Sequence, residues 1–297
     1  MLVGTARAEV VHIFSVDLEE YFQVNAFETS VPRDDWGRMT SRVEASTDVL
    51  LDLLSAHETL ATFFTLGWIA DRHPGLVRRI ADQGHEIASH GWWHRRVTHC
   101  TPAEFRAEVV DSRAILEDVA GRPVYGHRAP SFSIVPGSEW AFDVLIEAGY
   151  TYDSSIFPVH RGDYGYPGAK PDANRIERPA GDILELPLAT TTVAGLRFPA
   201  AGGGYFRQLP YAITRRAFAE HSKRDSPGMF YVHPWEIDPD QPRLAVPWLA
   251  KLRHYRGLRR TLPRLERLLS EFRFTSVERA YPEVRTPAPS EPASAQA

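Results

Sequence analysis

The residues best suited to chemistry lie in the stretch Gly84-His85-Glu86-Ile87-Ala88-Ser89-His90-Gly91-Trp92-Trp93-His94. His90 and His94 are four residues apart, at the end of a short strand-like run. If that turn is helical, both imidazoles project from one face. Two neutral imidazoles and a carboxylate from elsewhere can hold a divalent metal and leave positions open for water and substrate. Twelve histidines in 297 residues produce such spacings by chance, so the pair needs partners from the rest of the chain.

The partners come in order. Val10 to Val16 is an apolar, β-branched run typical of a strand buried on both faces, and it leads into Asp17-Leu18-Glu19. On an extended backbone Asp17 and Glu19 share a face, and acids at the end of a core strand are costly unless paired or bound to metal. The bland alternative is a strand that ends in a solvated acidic turn. Arg128 follows the short strand Val124-Tyr125-Gly126, Asp153 follows Tyr150-Thr151-Tyr152, and His233 follows Met229-Phe230-Tyr231-Val232. For Arg128 the alternative is a surface salt bridge; its place after a strand and before Pro130 favours an in-site charge partner.

Helical patterns separate these strands. Ser41 to His57 carries Val43, Thr47, Leu50 and Leu54 on one stripe. The strand Ala61 to Leu66 follows, then a helix over Asp71 to Gln83 with Gly84 as its stop, then His85 to Ser89 as the third strand. Thr101-Pro102-Ala103-Glu104 reads as a capping box opening a helix that runs to Ala120 and ends at Gly121. Further helices are expected over Gly137 to Ala148 and Tyr211 to His221, with a strand at Ile183 to Leu188. Phe157 to Gly181, dense in Gly, Pro and Tyr, reads as a long loop. Gly202-Gly203-Gly204-Tyr205 reads as a turn where backbone can approach a ligand, with no helix opening after it. Strand, polar cluster and helix in repetition predict an α/β fold, a mostly parallel sheet closed as a barrel. The clusters Asp17/Glu19, His90/His94, Arg128, Asp153 and His233 then share the C-terminal rim, where this architecture places its chemistry.

Composition sets limits. Hydrophobic residues make up 43% and charged residues 24%, ordinary for a globular chain with a sizeable core. A net charge of −4 gives no sign of nucleic-acid binding. The single cysteine, Cys100, excludes an internal disulfide framework and a multi-cysteine zinc site. No secretory signal and no run of membrane-spanning length are evident, so a cytoplasmic protein is expected.

Taken together, these residues resemble the polysaccharide deacetylase family, carbohydrate esterase family four. Asp17-x-Glu19 is similar to its first motif, usually an Asp-Asp pair, and Ala61-Thr62-Phe63-Phe64 to its second strand. His90-x-x-x-His94 matches its metal-binding histidines, Arg128-x-Pro130 its third motif, Asp153 its fourth and Val232-His233 its fifth. The sequences Val16 to Phe22, Arg128 to Phe132 and Tyr231 to Glu236 further resemble a branch associated with exosortase-linked exopolysaccharide loci. Two departures stand out: the metal carboxylate is Glu19, one residue later and one methylene longer, and Gly91 replaces the usual Ser or Thr.

The resemblance implies a distorted (β/α) barrel of about seven parallel strands over residues 1–240. It also implies a C-terminal helical extension over 241–282 packed on the barrel; residues 283–297 read as a disordered tail. It implies one divalent ion held by Glu19, His90 and His94. Zinc is the default for two histidines and a carboxylate, with cobalt, nickel and manganese as alternatives. Asp17 would be the base and His233 the acid, with Arg128 orienting Asp17 and Asp153 holding Arg128. A backbone N–H near Ser131 and Phe132 would assist the oxyanion. Phe132 and Trp235, then Tyr205, are the expected sugar and acetyl contacts. His85, His99, His127 and Cys100 read as structural.

The implied activity is removal of N-acetyl groups from an amino-sugar polymer or its lipid-linked precursor. An amidase of the allantoinase type and a non-catalytic glycan-binding scaffold remain as alternatives. Lys251 to Arg267 is basic, with Leu258, Leu262, Leu265, Leu269 and Phe272 at helical spacing. It reads as an amphipathic helix docked on the barrel. The sharper expectation is peripheral attraction to the inner membrane, to a polysaccharide-synthesis complex or to a phosphate-bearing glycan.

Overall fold

The computed structural model describes residues 10–286, apart from 163 and 194. The barrel strands and their helices follow one another as expected: β1 (His12–Leu18), α1 (Val43–Ala56), β2 (Thr62–Thr65), α2 (Gly67–Arg72), α3 (Pro74–Asp82), β3 (Glu86–Ser89), α4 (Pro102–Ala120), β4 (Gly126–His127), α5 (Trp140–Glu147) and β5 (Tyr152–Asp153). Then come β6 (Asn174–Arg178), β7 (Gly181–Glu185), the hairpin β8 (Thr190–Val193) and β9 (Leu196–Pro199), α6 (Gly203–Gln208), α7 (Tyr211–Arg224) and β10 (Met229–Val232).

The strands pair in the order β10-β1-β2-β3-β4-β5-β7, every pair parallel, with β6 antiparallel outside β7. The ring closes where Leu188 bridges Met229 and the Ala189 N–H donates to the Met229 carbonyl at 3.1 Å. The fold is therefore α/β, a barrel of seven parallel strands.

Because strand side chains alternate, one set from each strand faces the barrel axis in layers. At the base, the Thr62 and Tyr152 hydroxyls both donate to Glu86 at 2.6 Å. Above them Arg128 lies with Ser15 and Ser154, its guanidinium carbon 3.9 Å from the Phe64 ring centre. Asp17 closes this column at the rim. Gly126 permits the stack, since a Cβ there would lie 1.9 Å from the Tyr152 ring.

Several expectations need correction. The helix over Asp71 to Gln83 is two helices, because Pro74 lacks the N–H to continue α2 and instead opens α3. The long loop contains β6, which pairs with β7 along five residues. A helix does open at Gly203. The backbone that Gly202 approaches is the chain's own: it bridges Tyr231 at φ 148°, and a Cβ would sit 1.8 Å from the Tyr231 carbonyl oxygen. The capping box is as read, with the Thr101 hydroxyl and the Glu104 carboxylate satisfying each other's amides, and Gly121 ends α4 at φ 67°. Helix α1 is capped from outside: Glu20 accepts the amides of Arg42 and Val43.

Beyond Gln241 the basic segment is two helices, α8 (Trp248–Tyr255) and α9 (Thr261–Glu271), broken at Gly257 with φ 82°. Leu258, Leu265, Leu268 and Leu269 are buried against the barrel. The extension also joins the sheet, since β11 (Phe274–Thr275) pairs with β1. Helix α10 (Val277–Ala280) then seals the base, its first amides donating to Thr62 and Glu86. The tail expected from residue 283 is not seen at its start: Pro282–Arg285 form a helical turn with Val284 buried, its carbonyl accepting from Thr151. Residues 287–297 lie outside the described residues.

Candidate active site

Glu19 emerges one residue past β1, and the loop after β3 brings His90 and His94 to it. This loop is not helical: His94 sits at φ 51°, and it is the left-handed turn, with Gly91 at φ 75°, that folds the second imidazole back beside the first. One ligand atom from each of Glu19, His90 and His94 lies within 4.8 Å of the others, and all three residues are buried. His94 Nε2 stands 2.9 Å from Glu19 Oε2, and that oxygen has no hydrogen-bond partner.

The ring nitrogens facing away from this point are fixed. His90 Nδ1 lies 2.8 Å from the Arg128 carbonyl, and His94 Nδ1 lies 3.0 Å from Asn25 Oδ1. Each contact sets the tautomer that leaves Nε2 as an acceptor. Trp235 Nε1 donates to the other Glu19 oxygen at 3.0 Å. A buried carboxylate oxygen without a donor, beside two Nε2 atoms, suits a cation and suits no neutral packing.

Asp17 stands on the same strand face. Its Oδ1 accepts from Arg128 Nη1 at 2.6 Å, and its Oδ2 is 3.7 Å from His233 Nε2. His233, at the end of β10, is also 3.7 Å from Glu19 Oε1, and its Nδ1 lies 3.2 Å from Glu236. Burial works against a charged His233 ring, but the carboxylates of Glu19, Glu236 and Asp17 outweigh it and lift its pKa to about 9. Burial likewise opposes ionisation of Glu19, yet His94, His233 and His90 hold its carboxyl well below the usual range. Burial lowers His90 to about 4, keeping it a neutral ligand donor.

Asp153 does not hold Arg128. In the β4–β5 pair His127 is opposite Asp153, and both point away from the barrel axis. Asp153 accordingly meets His127 at 2.9 Å and the Ser155 hydroxyl at 2.8 Å. The next residue along, Ser154, faces inward and takes Arg128 with both its carbonyl (3.1 Å) and its hydroxyl (2.9 Å).

Ser131 and Phe132 both have positive φ, 54° and 53°. With His94, three of the five non-glycine residues in this strained region among the described residues lie at the site. Asn25 Nδ2 donates to the Ser131 hydroxyl at 2.7 Å, tying that loop to His94. The Phe132 amide donates to the Ala129 carbonyl at 3.0 Å, so of the two amides expected near an oxyanion only that of Ser131 stays in contention.

A cavity of about 280 Å³ opens over these groups. Phe132, Phe157, Tyr164, Tyr205 and Tyr231 form its aromatic wall, with the Tyr164 and Tyr205 hydroxyls bonded to one another. Trp235 borders the cavity but is only 6% exposed; its ring stacks on His254 (4.2 Å) and His233 (4.9 Å). It therefore orients Glu19 instead of offering a face to a sugar.

Sequence reasoning missed Asn25, Glu236, Arg207 and His254. Glu236 had a signal, three residues after His233 and bonded to it. Arg207 is buried 3.4 Å from Glu236 and donates to the carbonyls of His254 and Arg256, contacts made across the fold with no local pattern. His85 and His127 are structural as read: His85 Nδ1 accepts the Ala61 amide, and His127 packs against Phe105 and Tyr150.

Residues 34–152 match the profile of the polysaccharide deacetylase family; His90, His94 and Arg128 lie within that span, and Asp17, Glu19 and His233 lie outside it. Residues 34–152 carry a polysaccharide deacetylase domain. Residues 154–282 match a second profile, described as a domain of unknown function (DUF3473). A peptidoglycan-N-acetylglucosamine deacetylase of Bacillus cereus is 32% identical over 123 residues, 36% of this chain and 44% of that protein. A chitooligosaccharide deacetylase of a Bradyrhizobium species is 29% identical over 120 residues, 40% of this chain and 52% of that protein. The chain thus spans about half the length of these curated relatives. Among solved structures, a Mycobacterium smegmatis protein described as a polysaccharide deacetylase aligns over 95% of this chain and 93% of its own, with a TM-score of 0.61 and 19% identity. PuuE allantoinase aligns over 88% and 83%, with a TM-score of 0.57 and 16% identity. These two likenesses show a shared fold over most of the chain.

Proposed function

We propose that this protein is a metal-dependent hydrolase that removes N-acetyl groups from an amino-sugar polysaccharide or its lipid-linked precursor. We assign it to exopolysaccharide biosynthesis in the cytoplasm. The observation that carries the reading is the convergence of Glu19, His90 and His94, with one Glu19 oxygen left without a donor and Asp17 beside it. The names of the relatives, a peptidoglycan-N-acetylglucosamine deacetylase and a chitooligosaccharide deacetylase, support the substrate class.

Glu19, His90 and His94 would hold the ion, with zinc the first candidate and cobalt, nickel and manganese as alternatives. A divalent ion bound there supplies a Lewis acid for the acetyl carbonyl and lowers the pKa of water. The remaining steps belong to the chain. Arg128 fixes the Asp17 carboxylate through one oxygen, leaving the other toward His233 and the cavity to accept a proton. His233, held by Glu236, can deliver a proton to the leaving amine. The Ser131 amide would meet the oxyanion. Phe132 and Tyr205 offer apolar surface to a sugar ring and its acetyl group. This wall favours a glycan over the small cyclic ureide of an allantoinase, and a binding scaffold needs neither Asp17 nor His233.

The test is acetate release from N-acetylglucosamine oligomers by apo-protein reloaded with each metal. Asp17→Asn should bind metal normally and lose roughly a hundredfold or more in rate. Full activity in that variant would sink the assignment.

A further inference from the structure

Residues 241–265 contain seven Arg and Lys and no Asp or Glu, in a chain whose net charge is −4. Within this run α8 shows a second peculiarity. Trp248 is 70% exposed, Leu249 49% and Leu252 47%, and Trp248 is the most exposed large apolar side chain among the described residues. At 100° per residue these three lie within about one quadrant of the helix, and His254, buried against Trp235, lies on the opposite side.

The charges frame this patch. Arg243, Lys251, Arg253, Arg256, Arg259 and Arg260 are all exposed. Among the described residues Lys251, Arg253, Arg256 and Arg260 make no ion pair, and Arg259 has only a 3.8 Å approach to Asp240. A solvated helix has no reason to present Trp and two Leu to water. An interfacial helix, apolar on one face and ringed by cations, is the form that binds a bilayer of anionic lipid.

We infer that α8 and the basic loop after it are a docking surface for an anionic lipid bilayer. Trp248, Leu249 and Leu252 enter the interfacial layer and Lys251, Arg256 and Arg260 meet the headgroups. Arg253 and His254 of the same helix line the cavity above the Glu19–His90–His94 cluster. Docking therefore brings the cavity near the bilayer surface, toward a glycan attached to a lipid. The binding itself does not depend on the deacetylase reading.

The full chain is sedimented with phosphatidylcholine vesicles, with and without phosphatidylglycerol, at low and high salt. It should pellet only with the anionic vesicles and be released by salt. Replacing Lys251 or Arg260 by Ser should lower partitioning about fivefold each. The triple variant Trp248→Ser/Leu249→Ser/Leu252→Ser should abolish it while melting and acetate release from soluble oligomers stay unchanged. Equal pelleting with both vesicle types, or undiminished binding by the triple variant, overturns the inference. So does a salt-insensitive self-association of the wild type that the triple variant loses, which would make the patch an interface between copies.

Discussion

Arg128 Nη1 stands 2.6 Å from Asp17 Oδ1, with Arg128 fully buried and Asp17 2% exposed. A buried charge pair is worth little against apolar packing, but losing one partner strands the other. Arg128→Ala should therefore cost about 3–5 kcal/mol, read as a lower denaturant midpoint. Arg128→Lys should fold better yet lose activity, because one ammonium cannot serve Asp17, Ser15 and both Ser154 acceptors. A wild-type midpoint for Arg128→Ala would show that the pair carries no structural weight.

Asn25 and Trp235 touch the proposed ligands without being ligands. Asn25→Ala should weaken metal binding about 10- to 100-fold, since it frees the His94 ring to rotate. Chelator competition measures this directly. Trp235→Phe should show a similar loss by releasing one Glu19 oxygen. If neither variant changes affinity, the metal is held elsewhere.

Glu86 gives the protein a pH-dependent stability unrelated to catalysis. Burial, with Glu278 nearby, raises its pKa from the ordinary 4.5 to about 7. The folded state thus binds a proton that the unfolded chain releases above the ordinary value. The stabilisation is full below pH 4.5 and is lost as pH rises to about 7, on the order of 3 kcal/mol in all. The stability of the wild type relative to Glu86→Gln should show that decline, the Tyr152 hydroxyl turning to accept from the new amide. The buried His85, His90 and His221, held low by burial, give both proteins an opposing rise.

Gly202→Ala should destabilise by on the order of 2 kcal/mol or more, since the added carbon meets the Tyr231 carbonyl at 1.8 Å and the backbone has φ 148°. Calorimetry would record a lower melting temperature. Gly204→Ala, where the nearest atom is 3.5 Å away, is the control and should melt near wild type.

The barrel was legible because each strand announces itself twice, by an apolar run and by the polar residue ending it. Asp17, Glu19, His90, His94, Arg128 and His233 could be placed on one rim from that alone. What the sequence concealed is orientation. Asp153 ends a strand as Arg128 does, but one residue of offset turns it outward to His127 and gives its expected role to Ser154. The His90–His94 spacing suggested a helix, whereas positive φ at Gly91 and His94 produces the same convergence without one. Asn25, Arg207 and His254 act through contacts between distant segments, which no local pattern encodes.

The stack of Trp235 on His254 bears on how such proteins can be recombined. One ring supports Glu19 from the first strand, and the other belongs to a helix entered after residue 247. A chimera that joins the front of this chain to the rear of a relative would inherit a mismatched prop behind its metal-ligand carboxylate. Exchange is therefore expected to succeed only where Glu19 travels with residues 154–282, which carry both rings, so the first strand and that segment should share one lineage.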